Sequence, residues 1–429
     1  MMTLILFGLF FLLVFLNVPI AISLGLSAAA GLMYGGFPLS VIPSILYSGT
    51  AKFALLAIPF FILAGSIMEY AGISRRLISF ANACVGHRKG GLMAVVVIVA
   101  CFFAAISGSG PATVAAIGPI LIPAMVKAGY GKDMPAALVS ASGAIGIIIP
   151  PSIAYVVYAS CTDVSVGALF TAGIIPGILV GVAYYFAAAW DSRGNKDIIP
   201  QPKMSGKERL LAFKDAFWGL MTPVIILGGI YTGIFTPTEA AGIAVIYGLV
   251  VGMFIYREIK LKDLYRIFIE SAVSSATVMF IISAAAVFAW ILTTSQIASD
   301  LSQMVLSVSD NKYAILLLIN IVFLIAGCFL DANSAFYILL PIMVPVLNAI
   351  DVSLIHAGVF LTVNMAIGQI TPPVGINLYV GCNVAEIPVA NICKKIVPFL
   401  IAGIVALLLL TFIPEISMFL PKLIGQVPA

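Results

Sequence analysis

Two stretches of this 429-residue chain repeat one pattern of oxygen-bearing and helix-breaking residues. The first is ISGSGPAT at 106–113 followed by AIGIIIPPS at 144–152, and the second is FLDANSAF at 329–336 followed by AIGQITPPV at 366–374. Ser107, Ser109, Thr113, Ser140 and Ser142 bring hydroxyls to the first half; Asp331, Asn333, Ser334, Thr362, Asn364 and Thr371 bring oxygens to the second. Hard alkali cations need several oxygen ligands, and hydroxyls with backbone carbonyls meet that need without a full negative charge. A double proline removes two backbone donors, and its first ring clashes with the preceding turn, so a helix reading through either motif is interrupted and frees carbonyls upstream. Gly143, Gly146 and Gly368 let the backbone bend and approach closely just before the breaks. At membrane depth, freed backbone is tolerated only where it is buried in protein or lines a cavity, which makes these carbonyls candidate cation ligands.

Asp331 stands out among the single residues. A carboxylate at membrane depth costs about 2.5–3.5 kcal/mol on insertion scales, and no Lys or Arg lies near it in sequence. A bound cation, a water-filled cleft or protonation would keep it there; alternatively it caps a helix that begins near Ser334. Both readings stand at this point. Glu69, Glu239 and Glu270 read as interfacial carboxylates at the ends of spans. Nucleophilic chemistry is excluded: a Gly-x-Ser-Gly serine site would need glycine where Ser107 precedes Ser109, or where Ala105 precedes Ser107, and no membrane histidine base is apparent. His87 belongs to a basic loop, and His356 is expected in an external one.

The elements that must position these residues follow from composition. Hydrophobic residues make up 62% of the chain and charged ones 9%, against roughly a quarter charged in a soluble domain. Apolar runs at 3–16 continuing to 34, 91–107, 167–190, 268–294 and 396–413 are of the length that crosses about 30 Å of hydrocarbon. Lipid offers no partner to exposed backbone, so the expected fold is an all-α polytopic membrane protein. The opening MMTLILFGLFFLLVF carries no Lys or Arg, so it reads as the first transmembrane helix and not as a cleaved signal. Six cysteines without C-x-x-C spacing read as packing residues. The net charge of +4 reflects loop bias and no nucleic-acid surface.

At an offset of 222 residues, Pro119, Pro123, Pro150, Pro151, Pro176 and Gly181 fall on Pro341, Pro345, Pro372, Pro373, Pro398 and Gly403. Helix breaks kept in register mark an internal repeat. Lys and Arg concentrate at 74–91, 191–215 and 256–266, so these segments are expected to be cytoplasmic, whereas 296–312 reads as external. Parity then makes 91–130 a re-entrant hairpin from the cytoplasm, with 134–160 a broken helix. Residues 313–349 become a hairpin from outside, with 354–380 broken and Lys394 and Lys395 landing in the cytoplasm. The repeats are inverted, with about ten full spans plus two hairpins and both termini outside.

With ISGSGPATVAAIGPILIP, the AIGxIxPP breaks and the DANS tip in hand, the chain resembles the large membrane subunit of tripartite ATP-independent periplasmic (TRAP) transporters along essentially its whole length. The resemblance implies a multi-pass permease of the bacterial inner membrane. It would be a sodium-driven secondary transporter of an organic acid such as a C4-dicarboxylate or sialic acid, with no enzyme activity and no cofactor beyond Na+ as coupling ion. It implies an elevator-type scaffold (1–73 and 216–295) and a transport domain (74–190 and 296–429) joined by a cytoplasmic connection at 191–215. It implies two partners, a small four-helix membrane subunit, expected as a separate chain, and a periplasmic substrate-binding protein. By the same likeness, sodium falls to Ser107, Ser109, Gly143, Ile147 and Pro150 in one half, and to Gly327, Asp331, Gly368 and Thr371 in the other. Substrate falls to Ser107, Ser109, Asp331, Asn333 and Asn364. A stand-alone sodium/carboxylate symporter of similar architecture is the alternative reading, and co-purification of a small membrane subunit separates the two.

The orientation is directly testable. A cysteine at position 202 should resist an impermeant thiol reagent in intact cells and react once the membrane is opened, and a cysteine at position 309 should do the reverse. Labelling of position 202 from outside would overturn the inverted-repeat reading.

Overall fold

The computed structural model describes residues 1–195 and 197–427. Lys196 of the basic connection and the terminal Pro428 and Ala429, which fall in the expected external C-terminus, lie outside the described residues. Among the described residues all regular structure is helical. The first half runs α1 (Met2–Phe15), α2 (Ile20–Tyr34), α3 (Val41–Thr50), α4 (Ala57–Tyr70), α5 (Ile73–Val85), α6 (Gly91–Ser107), α7 (Gly110–Lys127), α8 (Asp133–Ala144), α9 (Ile153–Thr162) and α10 (Val166–Asp191). The second runs α11 (Gly206–Tyr231), α12 (Pro237–Val250), α13 (Leu261–Thr294), α14 (Ile297–Ser307), α15 (Lys312–Gly327), α16 (Ala332–Ala349), α17 (Leu354–Gly368), α18 (Ile376–Ala385), α19 (Val389–Phe412) and α20 (Glu415–Leu423).

Eight helical stretches among the described residues are long and apolar enough to cross a membrane, α7 and α16 of the expected hairpins among them, and further apolar helices such as α1, α2 and α17 are shorter. The opening stretch expected as the first helix is α1; Asn17 takes a positive φ of 62° and Pro19 opens α2, so the apolar run to residue 34 folds into two helices packed on each other. With 14 and 15 residues, each reaches only about 21–23 Å at 1.5 Å per residue. Helical structure resumes inside the basic connection expected at 191–215. Ser205 accepts from Glu208 N while Glu208 accepts from Ser205 N, a reciprocal cap that starts α11 inside that stretch. His356 lies in a helix and not in the expected external loop. It is buried in the first turn of α17, with Nδ1 2.8 Å from Ser417 Oγ and Nε2 3.3 Å from the Thr411 carbonyl.

The three basic segments meet at one end of the molecule. Arg76 of α5 reaches Asp215 of α11 at 3.2 Å and Glu258 at 3.0 Å, and its guanidinium stacks 3.9 Å from the centre of the Tyr256 ring. Arg75 joins Glu258 at 2.6 Å. Lys395 pairs with Asp191 at 3.0 Å. Surface pairs contribute only about 0–1 kcal/mol each, so their value here is positional. Lys312 donates to the Asp351 carbonyl at 2.8 Å, which closes the base of the α15–α16 hairpin. The outer ends of α6 and α7, which pack on each other, likewise face one recess lined by Gly90 and Tyr130. Each pair therefore leaves one end of the molecule and returns to it.

α10 and α19 occupy matching places in the repeat and run antiparallel against each other. Asp191, at the end of α10, meets Lys395 near the start of α19, and one turn or two further along Tyr184 packs against Phe399 with ring centres 6.2 Å apart. Antiparallel packing of repeat-related helices is what inversion demands. The halves also exchange helices. α9 packs on α16 and α17 of the second half, with Tyr158 Oη donating to the Leu354 carbonyl at 2.7 Å and Ser160 Oγ 3.2 Å from Tyr337 Oη. Its counterpart α18 packs on α7 and α8 of the first half, where Asn377 Nδ2 donates to the Ser140 carbonyl at 3.2 Å. A pair of cysteines replacing Asp191 and Lys395 should therefore be bridged efficiently by a short bifunctional thiol reagent and shift mobility after cleavage between the halves. Absence of a bridge with both thiols reactive would refute the antiparallel pairing.

Candidate functional site

The helix interruptions converge on one cleft of about 130 Å³. Gly108 and Ser109 come from the α6–α7 tip, Asp331 to Asn333 from the α15–α16 tip, Ile147 and Ile153 from the first break, and Gln369 and Ile376 from the second. Val278 of α13 closes one wall. Four helices start here: Ser109 precedes α7, Ser152 precedes α9, Asp331 precedes α16 and Gly375 precedes α18. Three others finish here, α6 at Ser107, the short turn after α8 at Ile147, and α17 at Gly368. N-terminal amides favour anions and C-terminal carbonyls favour cations. The cleft therefore offers both kinds of electrostatic contact without a lining Lys, Arg or His among the described residues.

The first half builds a compact oxygen cluster. Gly108 turns the chain at φ 61°, in the left-handed region open to glycine, and lies so close to the Pro151 carbonyl that an added Cβ would come within 2.8 Å of it. Ser107 Oγ sits 3.0 Å from Thr113 Oγ1, and Thr113 Oγ1 donates to the Ser109 carbonyl at 2.8 Å. Gly146 brings the break against this cluster: a Cβ there would meet the Ser109 carbonyl oxygen at 2.6 Å and Thr113 Oγ1 at 2.8 Å. The freed Ile147 carbonyl accepts from Ser152 Oγ at 2.6 Å. The Pro150–Pro151 and Pro372–Pro373 bonds are both cis.

The second half is built differently around the same turns. Asp331 caps α16, accepting from Asn333 N at 3.0 Å on Oδ2 and from Ser334 Oγ on Oδ1. This is the capping geometry, and it also leaves the carboxylate on the cleft wall. Gly368 packs backbone to backbone on Gly327, where an added Cβ would lie 2.8 Å from the Gly327 carbonyl oxygen. Thr371 Oγ1 is engaged by the Ile367 carbonyl at 2.7 Å. Asn333 Oδ1 and Gln369 Oε1 are buried acceptors without a hydrogen-bond partner, the kind of group that calls for a bound ion or water.

Of the residues singled out from sequence, Ser109, Ile147, Asp331 and Asn333 line the cleft. Ser107 stands immediately behind it, joined to Ser109 through its hydroxyl at 3.3 Å. Gly143, Pro150, Gly327, Gly368 and Thr371 shape the backbone around the breaks and are not on the wall. Asn364 is elsewhere: it is fully buried, and its Nδ2 donates to Asn320 O at 2.9 Å and Asn320 Oδ1 at 3.0 Å. Sequence reasoning missed Gln369. Its signal was present, since Gln369 holds the place that Ile147 holds in the other repeat, a long amide inside an otherwise apolar break.

Residues 7–416 match the family described as "Tripartite ATP-independent periplasmic transporter, DctM component". The chain is 44% identical over 405 residues to the C4-dicarboxylate TRAP transporter large permease protein DctM of Pseudomonas aeruginosa, covering 94% of this chain and 95% of that one. It is 43% identical over 418 residues to the isethionate TRAP transporter permease protein DctMQ of Oleidesulfovibrio alaskensis, where it covers 97% of itself and spans 66% of that relative's length. Identity to the sialic acid TRAP transporter large permease protein SiaM of Vibrio cholerae is 35% over 412 residues, 96% of each chain. Among solved structures, the YdaH transporter of Alcanivorax borkumensis shares the fold, with a TM-score of 0.62 at 17% identity over 89% of this chain and 88% of that one.

The close approach at Gly146 sets a measurable demand. Gly146→Ala should lower the unfolding temperature, because backbone must shift to admit the methyl group and overpacking costs about 1–3 kcal/mol. Gly206→Ala, at a helix start with open space around it, is the control and should not. Equal melting of both variants and the wild type would show that the break and the hairpin tip are not packed this tightly.

Proposed function

Since this chain belongs to the DctM component family of tripartite ATP-independent periplasmic transporters, we propose that it imports an organic acid across the inner membrane by coupling to sodium. It is a multi-pass permease and not an enzyme. The observation that carries the proposal is the single cleft on which both hairpin tips and both breaks converge, with four helix N-termini and no lining cation among the described residues. A substrate carboxylate would be received by the N-terminal amides of α7 and α18, whose Ncap residues make no side-chain cap. Sodium ions would be held by the Ser107–Ser109–Thr113 oxygens and the Ile147 carbonyl on one side. On the other they would be held by Asp331 and the unpartnered oxygens of Gln369 and Asn333.

The substrate would arrive from a periplasmic binding protein, and the permease would work with a small four-helix membrane subunit. Support for both comes from the family, and the relatives named for C4-dicarboxylates, sialic acid and isethionate point to a small organic anion. The hairpins would be re-entrant, and the cleft-bearing helices would move as a body against α1–α4 and α11–α13. Two sodium ions moving down about 100 mV would release roughly 4.6 kcal/mol if no compensating charge moves.

Uptake into proteoliposomes holding the chain with its membrane partner and binding protein should require a sodium gradient and fail in potassium-only buffer. Asp331→Asn retains a good N-cap, so folding should be near normal. Uptake should nonetheless fall by at least about tenfold, the loss expected when a charge-assisted contact of about 1.5–3 kcal/mol disappears. Wild-type rate and sodium dependence in a well-folded Asp331→Asn protein would limit Asp331 to capping.

A further inference from the structure

Away from the cleft, the antiparallel helices α10 and α19 splay into an apolar groove of about 490 Å³ on the lipid-facing surface. It follows Leu179, Ala183 and Trp190 on one helix and Val397, Ile401 and Leu409 on the other. From Leu179 to Trp190 the wall rises about 17 Å at 1.5 Å per residue. That is close to half of a 30 Å hydrocarbon core, the depth of one leaflet. Trp190 is 66% exposed at the groove's end, and there the Arg193 guanidinium lies 4.5 Å over its ring.

Just past that tryptophan the surface changes character. A recess of about 700 Å³ opens between α10 and the start of α6, lined by Lys89, Arg193, Tyr130, Tyr185, Ser192 and Asn195 and by no acid. Neither Lys89 nor Arg193 has an ion-pair partner among the described residues. The acids nearby are accounted for: Asp191 is paired with Lys395, Asp133 sits in the adjoining recess beside Lys132, and Asp197 is exposed on the connection. An apolar groove one leaflet deep that ends at Trp190, linked through the Arg193 guanidinium over that ring to a neighbouring recess with two unneutralised cations and several hydroxyl and amide groups, matches the parts of a phospholipid with an anionic headgroup. Basic recesses beside membrane helices attract such headgroups, and tryptophan and arginine hold the boundary between chain and head.

We infer that the α10–α19 groove and the Lys89–Arg193 recess form one binding site for an anionic phospholipid. An acyl chain lies along Ala183 and Ile401, and the phosphate is held by Lys89 and Arg193. Because α10 and α19 carry the pseudo-symmetric pairing of the halves, a lipid seated between them bridges both repeats.

The test reconstitutes the chain in phosphatidylcholine vesicles containing a trace of phosphatidylglycerol with a photoactivatable acyl chain, or of the matching phosphatidylcholine. Adducts are counted on peptides covering 179–190 and 397–409. Phosphatidylglycerol should exceed phosphatidylcholine there by on the order of 25-fold, about fivefold for each of the two basic residues near the surface. The combination Lys89→Gln with Arg193→Gln should bring the ratio to about one. Ala183→Trp, which fills the groove and leaves both cations, should remove adducts of either lipid. Equal labelling in the wild type, or a preference unchanged by the double substitution, would overturn the assignment. Displacement by soluble glycerol phosphate would mark a site for a free anion instead. Loss of adducts when the small membrane subunit is co-reconstituted would make the groove a protein interface.

Discussion

A helix that stops inside a membrane leaves backbone amides and carbonyls that lipid cannot satisfy, and this chain packs its interruptions against one another, with Ile153 N donating to the Gly108 carbonyl at 3.4 Å. Gly108 lies against the Pro151 carbonyl, Gly146 against Ser109, and Gly368 against Gly327. Each contact packs one interruption against another and keeps its backbone away from hydrocarbon. The cleft is what remains at the centre of those contacts. Its chemistry therefore comes mainly from the ends of helices, and side chains adjust it.

The two-fold relation between the halves is kept by backbone and broken by side chains. The proline pairs, Gly146 with Gly368, and the helix starts correspond at the 222-residue offset. Yet Ser109 is answered by Asp331, Ile147 by Gln369 and Ile149 by Thr371. The second half thus carries the only charge on the cleft wall among the described residues, together with its unpartnered buried amides. The first half relies on hydroxyls bonded to each other and to the Ser109 carbonyl.

Much of this was legible in the sequence because prolines, glycines and charges act locally. Pro150 with Pro151 and Pro372 with Pro373 mark where helices stop, and the Arg75–Arg76, 191–215 and 256–266 clusters mark one end of the molecule. Other features depend on what lies far away in the chain. Asn364 reads as a substrate residue until Asn320 of α15 is placed beside it. His356 reads as a loop residue until Thr411 and Ser417 close over it. The N-terminal run hides its hinge because Asn17 and Pro19 interrupt it with a single positive φ and no charge. Gln369 is masked by the repeat itself, since the shared pattern marks the break and this residue is where the halves differ.

The exchange of α9 and α18 has a consequence for how the chain is made. α7 and α8 emerge from synthesis with a surface whose partner, α18, ends at Ala385, so the first half spends most of translation with an unfilled seat. α9 waits likewise for α16 and α17. Contacts of such sequence separation form late and slowly. Neither repeat is a finished unit when it enters the membrane; the first stays open until the second closes it, and a chain truncated before α18 would leave that seat facing lipid.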